Sequence, residues 1–407
     1  MDRTRAEDLP LARRVRAFGY LMLIEFFYGW TWNTVDLLRP QLRQSLGLTL
    51  TQAGSAYTAQ GLGALVGAIV LGQAADRFGR RRTLFGVIAG FGVVGIAGAL
   101  VPSYPWMLAQ RFALGFFLGA IFPVLIGTYM GVFPSRVRGR LAAVGQGCYN
   151  LSVVALGRSI GLVAAADWHA LLWAGALPPL LFAPLLFWAV PDDRRVAPWE
   201  ADGAPRTSLR LPIVELFRPA LRRRTGLLFL LVGLNFFAYQ AFSGWVTTFL
   251  EETRHIDAGA AGDIVSWQFV GAVVGGFAWG AFSDRFGRRP AAIGFVGGAL
   301  AVIAYLYVLQ TPAQLRLAGA AWGFLITASV VWAPWMSELF PPHLRSTGMS
   351  IFNWGRIISM TAPLLTAAVA KAHGMESAMV LSAGAFGAGA VVWLLLSETV
   401  GRKATAP

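Results

Sequence analysis

Long apolar runs fill most of this chain, and short polar clusters separate them. A helix needs about 20 apolar residues to cross the hydrocarbon core of a bilayer. Read at that length, the pattern predicts twelve membrane-spanning helices. They lie near 16–38, 52–75, 83–101, 106–132, 140–164, 169–190, 225–250, 260–282, 290–309, 313–337, 345–370 and 375–396. The third and ninth are the plainest hydrophobic stretches and are expected on the outside of a bundle. One segment, 191–224, breaks the pattern with Pro, Asp, Glu and Arg. It divides the chain into a six-span half over 1–190, a linker over 191–224 and a second six-span half over 225–407. Within the linker, 208–220 (SLRLPIVELFRPA) reads either as an interfacial amphipathic helix or as solvated chain. The expected fold is all-α: a polytopic membrane protein of twelve transmembrane helices in two pseudo-symmetric halves.

The halves repeat one another. Residues 60–82 (QGLGALVGAIVLGQAADRFGRRR) and 268–289 (QFVGAVVGGFAWGAFSDRFGRR) align at an offset of 208. FPSRVRG at 133–139 matches FPPHLRS at 340–346 at an offset of 207. Such a duplication of membrane helices is the plan of transporters whose site lies between repeats.

Composition narrows the classes. Of 407 residues, 56% are hydrophobic and 13% charged, too apolar for a soluble domain of this size. The net charge is +14, but the arginines sit in short clusters between spans. Those clusters fall on one side if both termini are cytoplasmic, with Arg39 and Arg43 as outer exceptions. No continuous basic face with stacking aromatics appears, so a nucleic-acid partner is not expected. The single cysteine, Cys148, excludes a disulfide framework within the chain. GRRR after Asp76 lacks the ending of a phosphate-binding loop, and the four histidines lie in loops or at span ends. Neither an enzyme, a cofactor nor a metal is expected.

Particular phrases resemble a known family. GQAADRFGRRR and GAFSDRFGRRP resemble the loop signature of the major facilitator superfamily, once per half. RFALGFFLGAIFPV (111–124) resembles its fourth-helix signature. FPSRVRGR and ELFPPHLRSTG resemble the loops after helices four and ten. VPDDRR (190–195) and SETVGR (397–402) resemble the closing phrases of the sugar and metabolite:proton symporter branches. The resemblance spans essentially the whole chain. It implies alternating access, a monomer, and a latch that closes the cytoplasmic side. The latch would use Gly72, Asp76, Arg77 and Arg80, with Gly280, Asp284, Arg285 and Arg288 as their counterparts, plus Arg138, Arg345 and Glu338. Gly72 and Gly280 would let a neighbouring helix approach closely. Span five lacks the GxxxGPxxGG-like pattern of many drug:proton antiporters, which favours a symporter or uniporter.

Ionisable residues at membrane depth are costly and so are candidates for function. Glu25 lies roughly 13 Å into span one, near the bilayer middle, and Asp36 lies close to the outer surface. Glu25, Gly29, Trp32 and Asp36 share one helical face. Arg111 enters span four at a height similar to Asp36. An Asp36–Arg111 pair or shared network is expected, either a proton switch or a permanent ion pair. Glu25 is the alternative proton carrier. Arg158 and Arg356 lie deep in spans five and eleven. Each would either attract a carboxylate or pair with Glu25, Asp36 or helix carbonyls. Candidate substrate contacts are Tyr28, Trp32, Asn33, Asn150, Asn235, Tyr239, Gln240, Trp332 and Asn353. Gln60 and Gln268 are candidates for helix–helix glue. Together these residues point to proton-coupled symport of a small organic anion in a bacterial inner membrane. The competing readings are a drug/proton antiporter and a non-transporting membrane sensor.

Overall fold

The computed structural model describes residues 4–197, 212–341, 344, 348–349 and 351–399. The chain divides into two compact units, Met1–Pro205 and Arg206–Pro407, a seam that falls inside the linker predicted at 191–224.

In the first unit the main helices are α1 (Leu11–Leu37), α2 (Leu50–Phe78), α3 (Arg80–Ala97), α4 (Tyr104–Met130), α5 (Ser135–Asp167) and α6 (His169–Phe182). A short helix, Arg39–Leu46, turns the chain between α1 and α2. In the second unit they are α7 (Arg222–Phe242), α8 (Ala258–Phe286), α9 (Ile293–Tyr307), α10 (Pro312–Ile326), α11 (Ala362–His373) and α12 (Leu381–Leu395). The line of α7 continues through a 3-10 turn at Ser243–Trp245 and a π turn at Phe249–Thr253. That of α10 continues through Thr327–Val331 into Trp332–Leu339. Among the described residues, nine helical stretches are long and apolar enough to cross a membrane. The other three expected spans fall on α1, on α5 and on 345–370. The first two are 27 and 33 residues long and carry buried or basic side chains. The third is broken into Ile351–Trp354, Arg356–Ser359 and α11.

Among the described residues the fold is helical apart from one two-residue parallel pairing, β1 (Thr4–Arg5) with β2 (Val196–Ala197), which ties the N-terminal end to the start of the linker. The amphipathic helix considered for 208–220 is only the four-residue turn Pro212–Glu215 among the described residues; 198–211 lie outside them.

Local chemistry sets the helix starts. Thr49 and Thr311 close matching capping boxes with Gln52 and Gln314 at the heads of α2 and α10. Each box satisfies two backbone donors that a helix start would leave unpaired.

Glycines then bring pairs of helices together. A Cβ on Gly63 or Gly67 of α2 would overlap backbone atoms of Phe112 or Phe116 on α4. One on Gly115 or Gly119 of α4 would overlap backbone of Gln60 or Ala64. The second unit repeats this between α8 and α10, where Gly271, Gly275 and Gly323 meet the backbones of Ala320, Phe324 and Gln268. Backbones this close gain dispersion contacts that bulkier residues would prevent.

The close approach expected at Gly72 and Gly280 is not there. Among the described residues no atom lies within 4 Å of a Cβ placed on either.

Candidate functional site

The first unit holds a buried charged cluster. Asp36 occupies the last turn of α1, and the chain then turns so that Arg39 opens the next helix. The Arg39 Nη2 donates to Asp36 Oδ1 at 2.5 Å, with the residues 0% and 4% exposed. Arg111 of α4 is 3% exposed, and its Nη1 donates to Thr34 Oγ1 at 3.2 Å. Its charge is felt by both Asp36 and Arg39. The expectation was an Asp36–Arg111 pair or a shared network. Asp36 contacts Arg39, three residues on, while Arg111 bonds to Thr34 and lies in the field of Asp36. A cavity of about 10 Å³ lies beside Arg111, lined by Thr31, Thr34, Gln110 and Leu114 among others. That is room for about one water. Gln110 donates through Nε2 to Val94 O at 2.9 Å, while its Oε1 has no hydrogen-bond partner.

Glu25, lower on α1, has a different environment. It is 5% exposed, and its Oε2 has no hydrogen-bond partner. Among the described residues no cation forms an ion pair with it. Its charge reaches Tyr129 of α4 and Cys148 of α5.

The other candidates on α1 pack against α5. A Cβ on Gly29 would collide with Ser152, so the two helices meet closely. The Tyr28 ring lies 6.0 Å from Trp32 and 5.7 Å from Tyr149. Asn33 Nδ2 donates to Gly29 O at 2.7 Å and to Tyr149 Oη at 2.9 Å. Asn150 accepts from Gln146 at 3.3 Å. Arg158 is exposed on α5, not buried beside these residues.

In the second unit, Tyr239 stacks on Trp322 with ring centres 5.9 Å apart. Asn235 and Gln240 are buried on the same helix, α7. Ser243 Oγ donates to Gln268 Oε1 at 2.9 Å, where α7 passes into its 3-10 turn. The counterpart Gln60 donates to Trp32 O at 3.1 Å, so each glutamine links its helix to the first helix of its own unit. The Arg356 guanidinium sits 5.3 Å above the Phe236 ring. Trp332 is 1% exposed, packed against Phe295 and Trp393; in this conformation it is core, not an open contact surface. The Asn353 side chain lies outside the described residues.

The duplicated loop phrase builds the same corner twice. Gly79 and Gly287 take φ of 96° and 101°, a backbone region open to glycine and rarely to other residues. The backbone N–H groups of Arg80 and Arg81 then donate to the Asp193 carboxylate at 2.8 and 3.2 Å. Those of Arg288 and Arg289 donate to Glu398 at 3.0 and 2.8 Å. An acid from the closing phrase of each half thus caps the helix start that follows its loop. The sequence marks both phrases but carries no local sign of this role.

The side chains differ between the copies. Arg80 donates to Gly127 O at 2.5 Å, whereas Arg288 pairs with Asp284 and Glu338, both at 2.9 Å. Burial opposes the charge on Arg288, but the hydrogen bonds it donates to Glu338 and Asp284 outweigh it and raise its pKa above the ordinary guanidinium value. Arg77 and Arg285 lie over Phe78 and Phe286 at 5.4 and 5.5 Å. Arg138 Nε donates to Phe133 O at 3.1 Å. Arg345 and the Asp76 side chain lie outside the described residues.

Apolar helices of spanning length, repeated in two units of which the first holds buried ionisable groups, define a multi-pass membrane protein of the transporter type. The sequence profile of the Major Facilitator Superfamily matches residues 21–258 and 228–407, and the chain belongs to that family. It is 29% identical over 402 residues to the 3-(3-hydroxy-phenyl)propionate transporter of Escherichia coli strain K12, covering 97% of each chain. It is 27% identical over 394 residues to the gallate transporter of Pseudomonas putida, covering 88% of this chain and 87% of that one. It is also 27% identical over 377 residues to the 4-hydroxybenzoate transporter PcaK of Acinetobacter baylyi, covering 84% and 82%. Among solved structures, the xylose transporter XylE from E. coli superposes with a TM-score of 0.73 at 16% identity, covering 96% of this chain and 99% of that one. A bacterial homolog of the human lysosomal transporter Spinster gives a TM-score of 0.77 at 14% identity, covering 95% and 97%. At these identities the solved structures support the fold alone.

Proposed function

We propose that the protein imports a small aromatic carboxylate together with protons, by alternating access, with both termini on the cytoplasmic side of a bacterial inner membrane. The observation that carries this reading is the state of Arg111. It is buried at membrane depth, bonded to a hydroxyl, and shares with Arg39 a carboxylate that Arg39 already contacts. A guanidinium so placed favours a further anion, and a carboxylate matches its planar donors. The relatives' names supply the substrate class: hydroxyphenylpropionate, gallate and 4-hydroxybenzoate each join an aromatic ring to a carboxylate. The half-buried Tyr239 on Trp322 offers a surface that suits such a ring. Arg356, and Asn235 and Gln240 of α7, are further candidate contacts, and the arginine corners at Arg80 and Arg288 are the candidate latch.

The test is uptake of labelled 4-hydroxybenzoate into proteoliposomes holding the purified protein, with the interior alkaline. Saturable accumulation that a protonophore abolishes is the expected result. Ligand binding without uptake would favour the sensor and overturn this reading.

A further inference from the structure

Two acids lie on α1, and the structure separates their roles. We infer that Glu25 is the residue that takes up and releases the coupling proton, while Asp36 stays ionised in its pair with Arg39. The inference rests on the proton-coupled reading above and names the group within it.

Start with Asp36. Its carboxylate is in direct contact with Arg39 and in the field of Arg111, and all three residues are buried. Adding a proton there would leave two buried guanidiniums without the anion that now faces them. Removing one partner of a buried pair is among the costlier changes a protein can undergo. Asp36 is therefore a poor place for a proton to come and go.

Glu25 meets the opposite condition. It is equally buried, yet no cation pairs with it among the described residues, and one carboxyl oxygen has no hydrogen-bond partner. The titratable groups that sense it are Tyr129 from α4 and Cys148 from α5. The α6 helix that also packs on α1 is apolar apart from His169 at its exposed start. Arg16 and Asp36 are about 13 and 16 Å away along α1 itself. With no positive partner, an ionised carboxylate at this site is stable only when water or a ligand reaches it. Proton uptake turns it into a neutral carboxyl that burial tolerates, and release needs the site to be wet. An acid that changes state with hydration is what coupling to a change of access requires.

Cys148 supplies a built-in reporter. It is the chain's only cysteine, half-buried and within the field of Glu25. The rate of N-ethylmaleimide labelling would be followed from pH 5 to 9 in the full-length protein. The variants are Glu25→Gln, Glu25→Asp and Asp36→Asn, each checked for a monodisperse, cooperatively melting sample. The wild type should show an inflection from Glu25 ionisation beside the thiol's own. Glu25→Gln should lose that inflection, and Asp36→Asn should keep it. In proteoliposomes Glu25→Gln should lose at least tenfold of the accumulation driven by a pH gradient, and Glu25→Asp should retain part of it. Superimposable labelling profiles for wild type and Glu25→Gln would overturn the inference. So would full gradient-driven accumulation by Glu25→Gln when the wild type responds to the gradient, and that result leaves the symport reading standing. A wild type that accumulates substrate with no response to the gradient would overturn the symport reading and this assignment with it.

Discussion

Gly67 and Gly72 lie five residues apart on α2 and meet opposite surroundings. A methyl group on Gly67 would overlap the backbone of Phe116, while one on Gly72 would meet open space. Gly67→Ala must therefore push α2 and α4 apart. A cost of about 1–3 kcal/mol or more is expected, the range for overpacking a close-packed contact. Gly72→Ala should be neutral or gain up to about 1 kcal/mol from helix propensity. Thermal melts of the two variants in one detergent would check the ordering, which should hold for the counterpart pair Gly275 and Gly280. The same residues show where sequence reading stopped. Both glycines stood out in the repeat, but helix rotation decides which of them faces a partner, and a glycine-rich segment carries too weak a periodicity to set that rotation. Arg39 was legible in principle. It follows Asp36 by three residues, the spacing at which side chains meet across a helical turn. It reads as a charge on the outer side, and although the expected end of the span at 38 matches the end of α1 at Leu37, the pattern does not show that the next short helix turns Arg39 back onto Asp36. Arg39→Ala should cost about 3–5 kcal/mol by removing one member of the buried ion pair with Asp36. Adding Asp36→Asn to Arg39→Ala should recover part of that loss in the same melt.

At the scale of elements, the two corners explain why acids sit in the closing phrases of the halves. Asp193 and Glu398 each accept two backbone N–H groups at a helix start, at α3 and at the turn leading into α9. Asp193→Ala and Glu398→Ala should each destabilise their unit by about 1 kcal/mol, within the 0.5–2 kcal/mol seen for lost caps. Faster amide exchange at residues 80–83 in the first variant, and at 288–292 in the second, would show that the loss is local. Unchanged exchange there would exclude the capping role. The sequence marked these phrases by resemblance, but which helix start they reach depends on the loop's path and is not written in the local pattern. The raised pKa of Arg288 means its contribution is complete below the ordinary guanidinium value and fades only as pH rises beyond it. Its charge is thus constant over any physiological range. Arg80 donates to the Gly127 carbonyl, and Met130 stands at the repeat position of Glu338.

Across the whole chain the repeat preserves frame and not chemistry. At the offset of 208, Glu25, Asp36 and Arg111 align with Gly233, Gly244 and Gly319. The acids and the buried guanidinium that dominate α1 and α4 therefore have no charged counterparts on α7 and α10. What the second unit has instead is the Tyr239–Trp322 stack, with Asn235 and Gln240 buried on the same helix as Tyr239. The sequence displayed the duplication openly, since the loop phrases and the glycines are nearly copied. It also displayed each charged residue, but not which of them would be paired. This difference between the units predicts a division of labour. Tyr239→Leu should raise the KM for 4-hydroxybenzoate by roughly 2- to 10-fold, the equivalent of one aromatic contact worth about 0.5–1.5 kcal/mol. Its response to a pH gradient should stay that of the wild type. Arg111→Gln should weaken competition by every carboxylate tested, while a methyl ester of the same acid competes poorly against wild type and variant alike. Uptake assays with labelled 4-hydroxybenzoate, competed in turn by benzoate, methyl 4-hydroxybenzoate and a non-aromatic carboxylate, separate the two effects. If Tyr239→Leu altered the gradient response and left KM unchanged, recognition of the ring and coupling to protons would not be divided between the units.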